Sequence, residues 1–459
     1  MSITPETEPT APRAPRPRPG ERLELTIESL AFGGAGVARR EGYVVFVSGA
    51  VPGDRVRARV TRSKRSFAEA QAEEILVPGP ERIPAAAEHP GAPWQVLPYE
   101  RQLQVKQQQV QEALARLGRL EGFELEPIIP AVERWRYRNK LEYSFGAGED
   151  GGLLCGFHAP GDWRRVLGLE DCLLASEAAN AVRERVLRWA RQRGLSAHDR
   201  RSGEGLLRNL VVREGRRTGQ LQARLVTAPG ELDREGLAGA LADLTGVLWT
   251  RLDSVAEVSH GGETELLAGA GAIEEQLCGL RFRISPQAFF QTNTEMAERL
   301  YRVVARCAQL TGFERVYDLY CGIGTIGLSL AARAAEVVGL ELVPEAVADA
   351  RVNARLNEID NARFHAGDVR LALRELVAAA GRPDVLVLDP PRAGLSAKVL
   401  RRVIEAAPRR IVYVSCNPTT LAPNAAQLVQ AGWRLERVCP VDMFPQTPHI
   451  ECVALLERA

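Results

Sequence analysis

The chain has 459 residues, a length typical of about two to four domains. Its hydrophobic content of 45% and charged content of 25% are ordinary for a globular protein, and its net charge of +1 means that binding nucleic acid would require a local basic face. No stretch approaches the roughly 18 uninterrupted apolar residues of a membrane helix. The 8 cysteines form no CxxC pair, so we expect free thiols. The first twenty residues contain no apolar run of the kind found in a signal peptide, so we expect a cytoplasmic protein without a membrane partner.

Residues 1–20 are rich in Pro and Arg and almost without apolar side chains. This composition predicts a disordered arm. Arg13, Arg16 and Arg18 could contact phosphates, but a solvated tail is the simpler interpretation, and the sequence assigns the arm no role.

Residues 21–77 alternate apolar and polar side chains over 23–27, 43–47 and 55–60, with Gly- and Pro-rich turns between these segments. The pattern predicts a small OB-like β-barrel. Basic residues are concentrated in and just after its third segment, with no acid among them: Arg55, Arg57, Arg59, Arg62, Lys64 and Arg65. Alternation puts the first three on one face of a strand, which favours nucleic-acid binding over a merely solvated face.

The sequence pattern of residues 78–285 predicts a central mixed α/β domain with antiparallel strands. It opens with a Pro- and Ala-rich linker over 78–95 and an amphipathic helix over 98–117. Strand-like segments follow at 141–145, 210–213 and 221–226. The run Tyr137-Arg138-Asn139-Lys140 suits contacts to RNA and a structural turn equally well.

Residues 286–459 alternate helical and strand patterns, which predicts an α/β fold with a doubly wound sheet. Predicted helices cover 294–308, 327–334, 344–357, 397–406 and 421–431. Predicted strands cover 316–319, 337–342, 385–388 and 411–414. Side chains that follow the strands of such a sheet lie where these folds bind ligands.

A glycine-rich segment over 318–327, with glycines at 322, 324 and 327, joins a predicted strand to a predicted helix and suits a nucleotide cofactor. Glu341, at the end of the next strand, suits a ribose diol, and Asp368 could reach an adenine. Asp318 precedes the glycines, where a carboxylate would repel a pyrophosphate and attract an ammonium group. The segment therefore favours S-adenosylmethionine over a dinucleotide.

Cys416 follows the strand 411–414, and Asp389, in Asp-Pro-Pro-Arg392, follows the strand 385–388. A thiolate beside a methyl donor suits methylation of uracil at C5, because addition of sulfur to C6 makes C5 nucleophilic. The reaction also needs a base for the C5 proton. Asp389, Glu451 and His449 are the candidates, and the residues alone leave the choice open. The other cysteines occupy ordinary core or surface positions, and core packing is the alternative for Cys416 itself.

Asp-Pro-Pro-Arg also differs from the Asn-Pro-Pro-aromatic pattern typical of methylases that act on amino nitrogens. Arg392 stands where those enzymes carry the aromatic ring that holds an exocyclic amine. The turn therefore favours a carbon rather than an amine as the methyl acceptor.

Taken together, Asp318-Leu-Tyr320-Cys-Gly322, Asp389-Pro-Pro-Arg-Ala-Gly394, Cys416 and the segments 285–293 and 449–452 resemble the RNA uracil-5 methyltransferase family over nearly all of residues 21–459. The resemblance implies an N-terminal TRAM barrel over 21–77 and a Rossmann-like, S-adenosylmethionine-dependent domain over 286–459. It implies that Cys416 is the nucleophile, Glu451 the general base and Asp389 the group that orients uracil and cofactor. The cofactor contacts that it implies are Gln291, Tyr320, Gly322, Glu341, Asp368 and Asp389.

One departure from the family concerns an iron–sulfur cluster that many members hold on four cysteines. The first three of those positions correspond approximately to Ile83, His89 and Ala92 here, and Cys172 resembles the fourth. One Cys and one His cannot hold a cluster. We therefore expect no cluster and no metal site, and packing of the polypeptide in its place, near the pattern Trp94-Gln95…Tyr99…Gln102.

The resemblance implies transfer of a methyl group to a uridine that is splayed out of folded RNA. The barrel and the central domain would bind the surrounding RNA. We expect 23S ribosomal RNA as the substrate, transfer RNA as the first alternative, and a monomer. The remaining alternatives are an RNA cytosine-5 methyltransferase, which usually carries two cysteines in its site, and a non-catalytic RNA-binding protein.

Overall fold

A computed structural model describes residues 16–254 and 260–458. The described chain divides into a first compact unit, residues 16–88, 93–105 and 446–448, and a second, residues 89–92, 106–445 and 449–458. Residues 1–15 of the predicted arm lie outside the described part. Within the described ranges, no helix is long and apolar enough to cross a membrane.

The first unit contains the predicted barrel. Its strands are β1 (Arg22–Thr26), β2 (Ser29–Leu30), β3 (Gly36–Arg40), β4 (Tyr43–Ser48), β5 (Arg55–Ser63) and β6 (Phe67–Val77). They pair in the order β1-β5-β6-β4-β3-β2. Val56, Ala58 and Val60 of β5 point into the core, because side chains alternate between the two faces of a strand.

The arginines of β5 differ from the expectation of an uncompensated basic face. Arg57 forms ion pairs with Glu24 and Glu74, and Arg59 donates to Glu73 at 2.9 Å. These acids lie on the neighbouring strands β1 and β6. The sequence of β5 alone therefore gave no sign of them. Exposed pairs of this kind contribute roughly 0–1 kcal/mol, so these arginines could exchange a carboxylate for a phosphate at little cost.

The described end of the predicted arm contacts the barrel. Arg16 donates to the hydroxyl oxygen of Ser63 at 2.8 Å, and the amide of Gly20 donates to the carbonyl of Val60 at 2.8 Å. Residues 16–20 therefore lie against β5, near Val60 and Ser63.

The helix predicted over 98–117 forms as α1 (Tyr99–Glu112), which continues into a π-helical turn over Ala113–Leu117. The short strand β7 (Glu124–Leu125) follows it in the second unit.

A central sheet in the second unit contains β8 (Lys140–Ala147), β9 (Leu153–Ala159), β10 (Asp162–Gly168), β11 (Leu207–Gly215), β12 (Gln220–Thr227), β13 (Gly246–Arg251) and β14 (Glu263–Gly269). Its order is β10-β9-β8-β11-β12-β13-β14, antiparallel except for the pair β12–β13. The helices α2 (Glu177–Gln192) and α3 (Arg234–Ala240) contribute Val182, Val186 and Leu237 to the apolar core on one face of this sheet. The antiparallel character predicted for this region is thus observed.

The rest of the second unit is the predicted doubly wound sheet. A hairpin of β15 (Ile273–Leu277) and β16 (Leu280–Ile284) precedes it. Its strands are β17 (Arg315–Leu319), β18 (Glu336–Glu341), β19 (Ala362–Ala366), β20 (Val385–Leu388), β21 (Arg410–Ser415), β22 (Trp433–Val441) and β23 (Glu451–Arg458). Its helices are α4 (Thr294–Ala308), α5 (Thr325–Ala331), α6 (Pro344–Leu356), α7 (Val369–Ala380), α8 (Ala397–Ala406) and α9 (Pro418–Gln430).

The strands of this sheet pair in the order β19-β18-β17-β20-β21-β23-β22-β7. The order reverses between β17 and β20, the kind of position where open α/β sheets bind ligands. The strands β17 to β21 are parallel to their neighbours, whereas β23 is antiparallel to β21. The amino end of β23 therefore lies at the same edge as the carboxyl ends of the parallel strands.

Candidate active site

The candidate site residues lie along this one edge. Read across the sheet from β19 to β23, they are Asp368, Glu341, Asp318, Asp389, Cys416 and Glu451. Each lies within two residues of the carboxyl end of its strand, except Glu451, which begins β23. The sequence segments that carry them extend over more than a quarter of the chain, and the sheet brings them together.

Cys416 and Glu451 are cross-strand neighbours. The β21–β23 register ends with Ser415 opposite Cys452, so Cys416 and Glu451 each lie one position beyond this last pair. The charge of the Glu451 carboxyl group also acts on the Cys416 thiol, which agrees with their closeness. The thiol and the carboxyl group can therefore act on the same ring.

The Cys416 thiol is half-buried. Burial, and after it the nearby carboxyl groups of Glu451 and Asp389, raises the pKa of Cys416 to about 11, and Arg392 acts in the opposite direction. Cys416 also stands just before Asn417, the residue that caps the N-terminus of α9. The helix begins three residues earlier than predicted, so Cys416 directly precedes its N-cap, where the positive end of a helix dipole favours a thiolate.

Glu451 and Asp389, the two acids nearest Cys416, both have a raised pKa. Glu451 is 5% exposed, and burial, followed by the charge of Asp389, raises its pKa well above the ordinary value. Burial raises the pKa of Asp389 to about 7. Asp389 therefore exchanges a proton near neutral pH, and both groups, whose pKa values are raised by burial, are candidates for acid–base roles.

The turn after Asp389 is fixed from the Cys416 side. The Asn417 side chain donates to the carbonyl of Arg392 at 3.0 Å. Asn424 of α9 accepts from the amide of Leu395 at 2.8 Å and from the Tyr413 hydroxyl at 2.9 Å. The Asp-Pro-Pro-Arg turn and the cysteine loop are therefore held as one body, which the sequence pattern did not reveal.

The glycine segment over 318–327 forms a cradle. Asp318 is fully buried, and one of its oxygens accepts from the amide of Gly327 at 2.8 Å. Its other oxygen, Oδ1, is buried without a hydrogen-bond partner among residues 16–254 and 260–458. Burial, and then Asp389 and Glu341, raises the pKa of Asp318 to about 7, against the opposing Gly327 amide. An ammonium donor would satisfy the remaining oxygen.

The backbone of the same segment leaves room for a ligand. Gly322 has a φ of 54°, and an added Cβ would meet nothing within 4 Å. Tyr320 also has a positive φ, 67°, an uncommon conformation for a residue with a side chain. Burial, and then Asp368, raises the pKa of Tyr320 to about 12, so the hydroxyl stays protonated. Open space beside strained backbone is typical of a binding loop.

Glu341 and Asp368 differ in how they are held. The Glu341 carboxylate accepts from the amides of Gly322 at 3.1 Å and Val343 at 2.9 Å, which fixes it beside the cradle. Asp368 caps α7 by accepting from the amide of Arg370 at 2.9 Å. Its ion pair with Arg370 is the first cause of its lowered pKa. Asp368 thus already has a structural role in addition to the adenine contact expected of it.

Gln291 is buried, and its main chain is held by a residue whose role the sequence left ambiguous. Asn139 donates to the carbonyl of Gln291 and to the Thr294 hydroxyl, both at 2.9 Å, while its own amide donates to the carbonyl of Thr292. Asn293 caps α4 and donates to the carbonyl of Met443 at 2.9 Å. The run that contains Asn139 therefore holds the segment 285–293 in place. In the sequence, the only sign of this role was an Asn directly before a predicted strand.

His449 lies near the same edge, two residues before Glu451. Its ring packs edge-on against Phe444, with centroids 6.1 Å apart. Burial, and then the charge of Arg392, lowers the pKa of His449 to about 4. A neutral imidazole with so low a pKa is a weak base, which leaves the two acids as the stronger candidates.

Of the positions that correspond to cluster cysteines, His89, Ala92 and Cys172 are buried and Ile83 is exposed. In the second unit, His89 Nε2 lies 3.3 Å from the Cys172 sulfur, and both side chains are buried. In the first unit, Gln102 donates to the carbonyls of Trp94 and Leu97, both at 3.0 Å. Among the described residues, no group of three or more His, Cys, Asp or Glu side chains is arranged to hold a metal ion.

Comparison with known proteins agrees with this geometry. A model of the family described as tRNA (Uracil-5-)-methyltransferase matches residues 272–459, and the TRAM domain matches residues 16–72. An uncharacterized RNA methyltransferase of Gloeobacter violaceus is 41% identical over 450 residues, 96% of this chain and 97% of its own. Another, from Clostridium tetani, is 38% identical over 453 residues, 96% of this chain and 98% of its own.

A solved structure also matches nearly the whole chain. It is the Pyrococcus abyssi tRNA (uracil-54, C5)-methyltransferase in complex with S-adenosyl-L-homocysteine, with a TM-score of 0.78, 29% identity, and coverage of 94% of this chain and 99% of that one. The bound product of that enzyme agrees with S-adenosylmethionine as the methyl donor. The resemblance seen in the sequence is thus confirmed, and the chain belongs to the family of TRAM-containing, S-adenosylmethionine-dependent RNA uracil-5 methyltransferases.

Proposed function

We propose that this enzyme methylates C5 of a uridine through a covalent bond between Cys416 and C6 of the base, with Glu451 as the general base. The main support for this mechanism is the position of Cys416 and Glu451 on the neighbouring strands β21 and β23. They lie at the edge of the sheet that also holds the glycine cradle. Asp389, in the turn that follows the neighbouring strand β20, orients the uracil ring and the cofactor.

Each step has a residue to perform it. The Cys416 sulfur adds to C6 as a thiolate, which the α9 N-terminus and Arg392 stabilise, and the C5–C6 electron pair moves into an enolate. The cofactor, when bound, supplies an electrophilic methyl group, which C5 takes up. Glu451 then removes the C5 proton, the C5–C6 double bond re-forms, and the Cys416 sulfur leaves. The raised pKa of Glu451 makes it an effective proton acceptor once it is ionised.

The cofactor would be held by the residues of the cradle. Asp318, with its unsatisfied oxygen, suits the ammonium group, and Glu341 suits the ribose hydroxyls. Gln291, Tyr320 and Gly322 would complete the site, and Asp368 would contact the adenine. The three carboxylates of this set, of which Asp318 is buried, favour a cationic ligand, such as one with a sulfonium and an ammonium group.

For the substrate, we propose 23S ribosomal RNA, bound by the barrel and the central domain of a monomer. Transfer RNA is the second candidate, because the Pyrococcus abyssi protein that matches nearly the whole chain is named as a transfer RNA enzyme. The barrel does not discriminate between the two substrates. The Pyrococcus abyssi protein, which is matched over 99% of its length and therefore also in the region of the barrel, is named as a transfer RNA enzyme.

The test is a gel assay of the enzyme with S-adenosylmethionine and RNA that contains 5-fluorouridine. Fluorine at C5 cannot leave as a proton, so the reaction should stall as a protein–RNA adduct. We expect the adduct with fragments of 23S ribosomal RNA, and its loss in Cys416→Ala. Cys452→Ala is the matched control, because Cys452 is a fully buried cysteine one position from Glu451.

The outcomes separate the parts of the proposal. An adduct with transfer RNA but not with ribosomal RNA would replace the substrate and keep the mechanism. An adduct that survives in Cys416→Ala would refute the nucleophile. Absence of an adduct with either RNA, in protein that binds S-adenosylmethionine, would refute the covalent mechanism.

A further inference from the structure

A pocket opens at one end of the central sheet, and we name it the Trp163 pocket after the ring in its wall. It has a volume of about 320 Å³ and is lined by residues of β8, β9, β10, β11 and the loop that precedes β11. Its buried lining includes the apolar side chains of Phe145, Val166 and Leu207. The volume is at the small end of the range for ligand pockets, about 300–1,000 Å³, which suits a single nucleotide and not a duplex.

Trp163 is an exposed part of the pocket wall. It is 57% exposed, although tryptophan side chains are usually well buried. The β9–β10 register shifts between Asp162 and Val166, so residues 163–165 depart from the regular ladder. The Arg200 guanidinium lies over the ring, with its central carbon 5.2 Å from the ring centroid. An exposed indole ring of this kind offers a surface on which a nucleic-acid base can stack.

Two exposed arginines, Arg164 and Arg201, line the same pocket. Arg164 pairs with Asp162 at 2.9 Å, and an exposed ion pair of this kind could exchange its carboxylate for a phosphate at little cost. The loop that carries Arg201 is held by Asp199, whose carboxylate accepts from the Arg201 amide at 2.7 Å. The donors of an arginine side chain match two oxygens of a phosphate. The pocket therefore combines a stacking surface with groups that bind an anion.

The Trp163 pocket lies at the far end of β8 from the candidate active site. The strand begins directly after Asn139, which holds the carbonyl of Gln291, and Phe145 of the pocket lies six residues beyond Asn139. A strand rises about 3.3 Å per residue, so roughly 20 Å separate the two positions. The pocket therefore cannot hold the uridine that reacts at Cys416, and a nucleotide bound in it would be a different one.

We propose that the Trp163 pocket binds one unpaired nucleotide of the substrate RNA, outside the target uridine. The proposal rests on RNA being the substrate, and it adds a site on the central sheet to the edge of the doubly wound sheet. The base would stack on the Trp163 ring, and Arg164 and Arg201 would bind its phosphate. A second unpaired nucleotide, held roughly 20 Å from the reaction, would help the enzyme to select an RNA with the correct fold around the target.

The experiment compares Trp163→Ala, Trp163→Phe and Arg201→Gln with two control variants. Phe313→Ala also removes an exposed ring, but Phe313 precedes β17 and so lies at the opposite edge of the doubly wound sheet from the candidate site. Arg188→Gln makes the same charge change as Arg201→Gln at an exposed position of α2, outside the pocket lining.

Three quantities are measured for each protein. They are the unfolding midpoint, the affinity for fluorescein-labelled transcripts of 23S ribosomal RNA and transfer RNA over a series of salt concentrations, and the rate of adduct formation at saturating 5-fluorouridine RNA. Affinity is measured without cofactor, so it does not depend on the covalent mechanism. A wild-type protein that binds neither transcript would overturn RNA as the substrate, and this proposal with it, before any variant is compared.

We expect Trp163→Ala to weaken RNA binding about 5-fold to 150-fold, the range for loss of one stacked base. Its unfolding midpoint and its adduct rate at saturating RNA should not change, because the ring is exposed and far from Cys416. Trp163→Phe keeps a ring and should retain most of the affinity. In Arg201→Gln, the slope of log affinity against log salt should become shallower by about 0.7–0.9, one phosphate contact. Phe313→Ala and Arg188→Gln should match the wild type.

Several results would overturn the proposal. If folded Trp163→Ala binds RNA as tightly as the wild type, or if Phe313→Ala weakens binding equally, no base stacks in the pocket. If Arg201→Gln and Arg188→Gln change the salt slope equally, the effect is one of net charge. Should Trp163→Ala fail to fold, Arg201→Gln still decides, because a wild-type affinity and salt slope in that variant would refute the nucleotide site.

Discussion

Lys106 and Asp442 form an ion pair at 2.6 Å in which both side chains are fully buried. Lys106 Nζ also donates to the carbonyl of Phe444 at 3.1 Å, and burial, opposed by Asp442, lowers its pKa. Asp442 opens the connection between β22 and β23, which ends at Glu451. The pair therefore anchors the segment that leads to the proposed general base.

Lys106→Met should lower the free energy of unfolding by about 3–5 kcal/mol, because it leaves the Asp442 carboxylate buried without its partner. The measurement is urea denaturation at neutral pH. The double variant Lys106→Met with Asp442→Leu is the control, and it should recover most of the loss, since buried pairs can be replaced by apolar side chains at little cost. A loss below about 1 kcal/mol in Lys106→Met would mean that water reaches the pair.

Glu451→Gln should convert ordinary uridine RNA into a trapped substrate. Without a base for the C5 proton, the methylated adduct on Cys416 cannot collapse, and turnover should fall about 10²-fold to 10⁴-fold. The measurement is a denaturing gel with S-adenosylmethionine and RNA without fluorine. Asp389→Asn is the matched control, and it should weaken substrate use without accumulating the adduct. Accumulation in Asp389→Asn instead would exchange the roles of the two acids.

The rate of adduct formation should rise with pH. With the pKa of Cys416 raised to about 11, the thiolate fraction increases tenfold per pH unit throughout the neutral range. Single-turnover trapping with 5-fluorouridine RNA between pH 6.5 and 9 should therefore give a slope near one on logarithmic axes. Arg392→Gln should lower the rate at every pH, because Arg392 favours the thiolate. A plateau that begins near neutral pH would mean that a neighbouring acid accepts the thiol proton within the site.

Asp318→Asn should stabilise the cofactor-free protein while weakening cofactor binding. Burial raises the pKa of Asp318 from 3.8 to about 7, so the folded state binds the proton more tightly than the unfolded state does. The aspartate therefore lowers stability as the pH rises from about 4 to 7, by up to about 4 kcal/mol above pH 7. An asparagine, which still accepts from the Gly327 amide, removes that cost.

The gain should be seen at pH 8 and vanish below pH 4, where the carboxyl group is protonated in both states. Thermal unfolding at the two pH values and titration with S-adenosylmethionine measure the two effects. Equal stability of both proteins at pH 8 would mean that Asp318 is not desolvated. Unchanged cofactor affinity would remove its role toward the ammonium group.

Much of this arrangement could be predicted from local patterns. Periodicity gave most helices and parallel strands of the doubly wound sheet, but not β19 or α7. The positions of Asp318 near the end of a strand, and of Asp389 and Cys416 directly after strands, predicted that they would meet at one edge. The choice between Asp389 and Glu451 as base did not follow from the residues, because it depends on β23 lying beside β21. Resemblance, not spacing, singled out Glu451.

Contacts between distant segments were invisible for a different reason. Lys106 in a polar helix gives no sign that Asp442, far along the chain, will meet it. Asn139 lies in a run that suited RNA equally well, and only the tertiary structure makes it the clamp on Gln291. The acids that pair with the arginines of β5 lie on other strands, so a charge count along one strand overestimated the basic face.

The cross-strand position of Cys416 and Glu451 also determines how the enzyme tolerates change. Their separation is set by the β21–β23 ladder and not by the length of the chain between them. Residues inserted at the exposed turn between α9 and β22 should leave the pair intact. A one-residue slip of β23 would instead turn Glu451 to the opposite face of the sheet and every buried side chain of that strand with it, so the core of the sheet protects the geometry of the reaction.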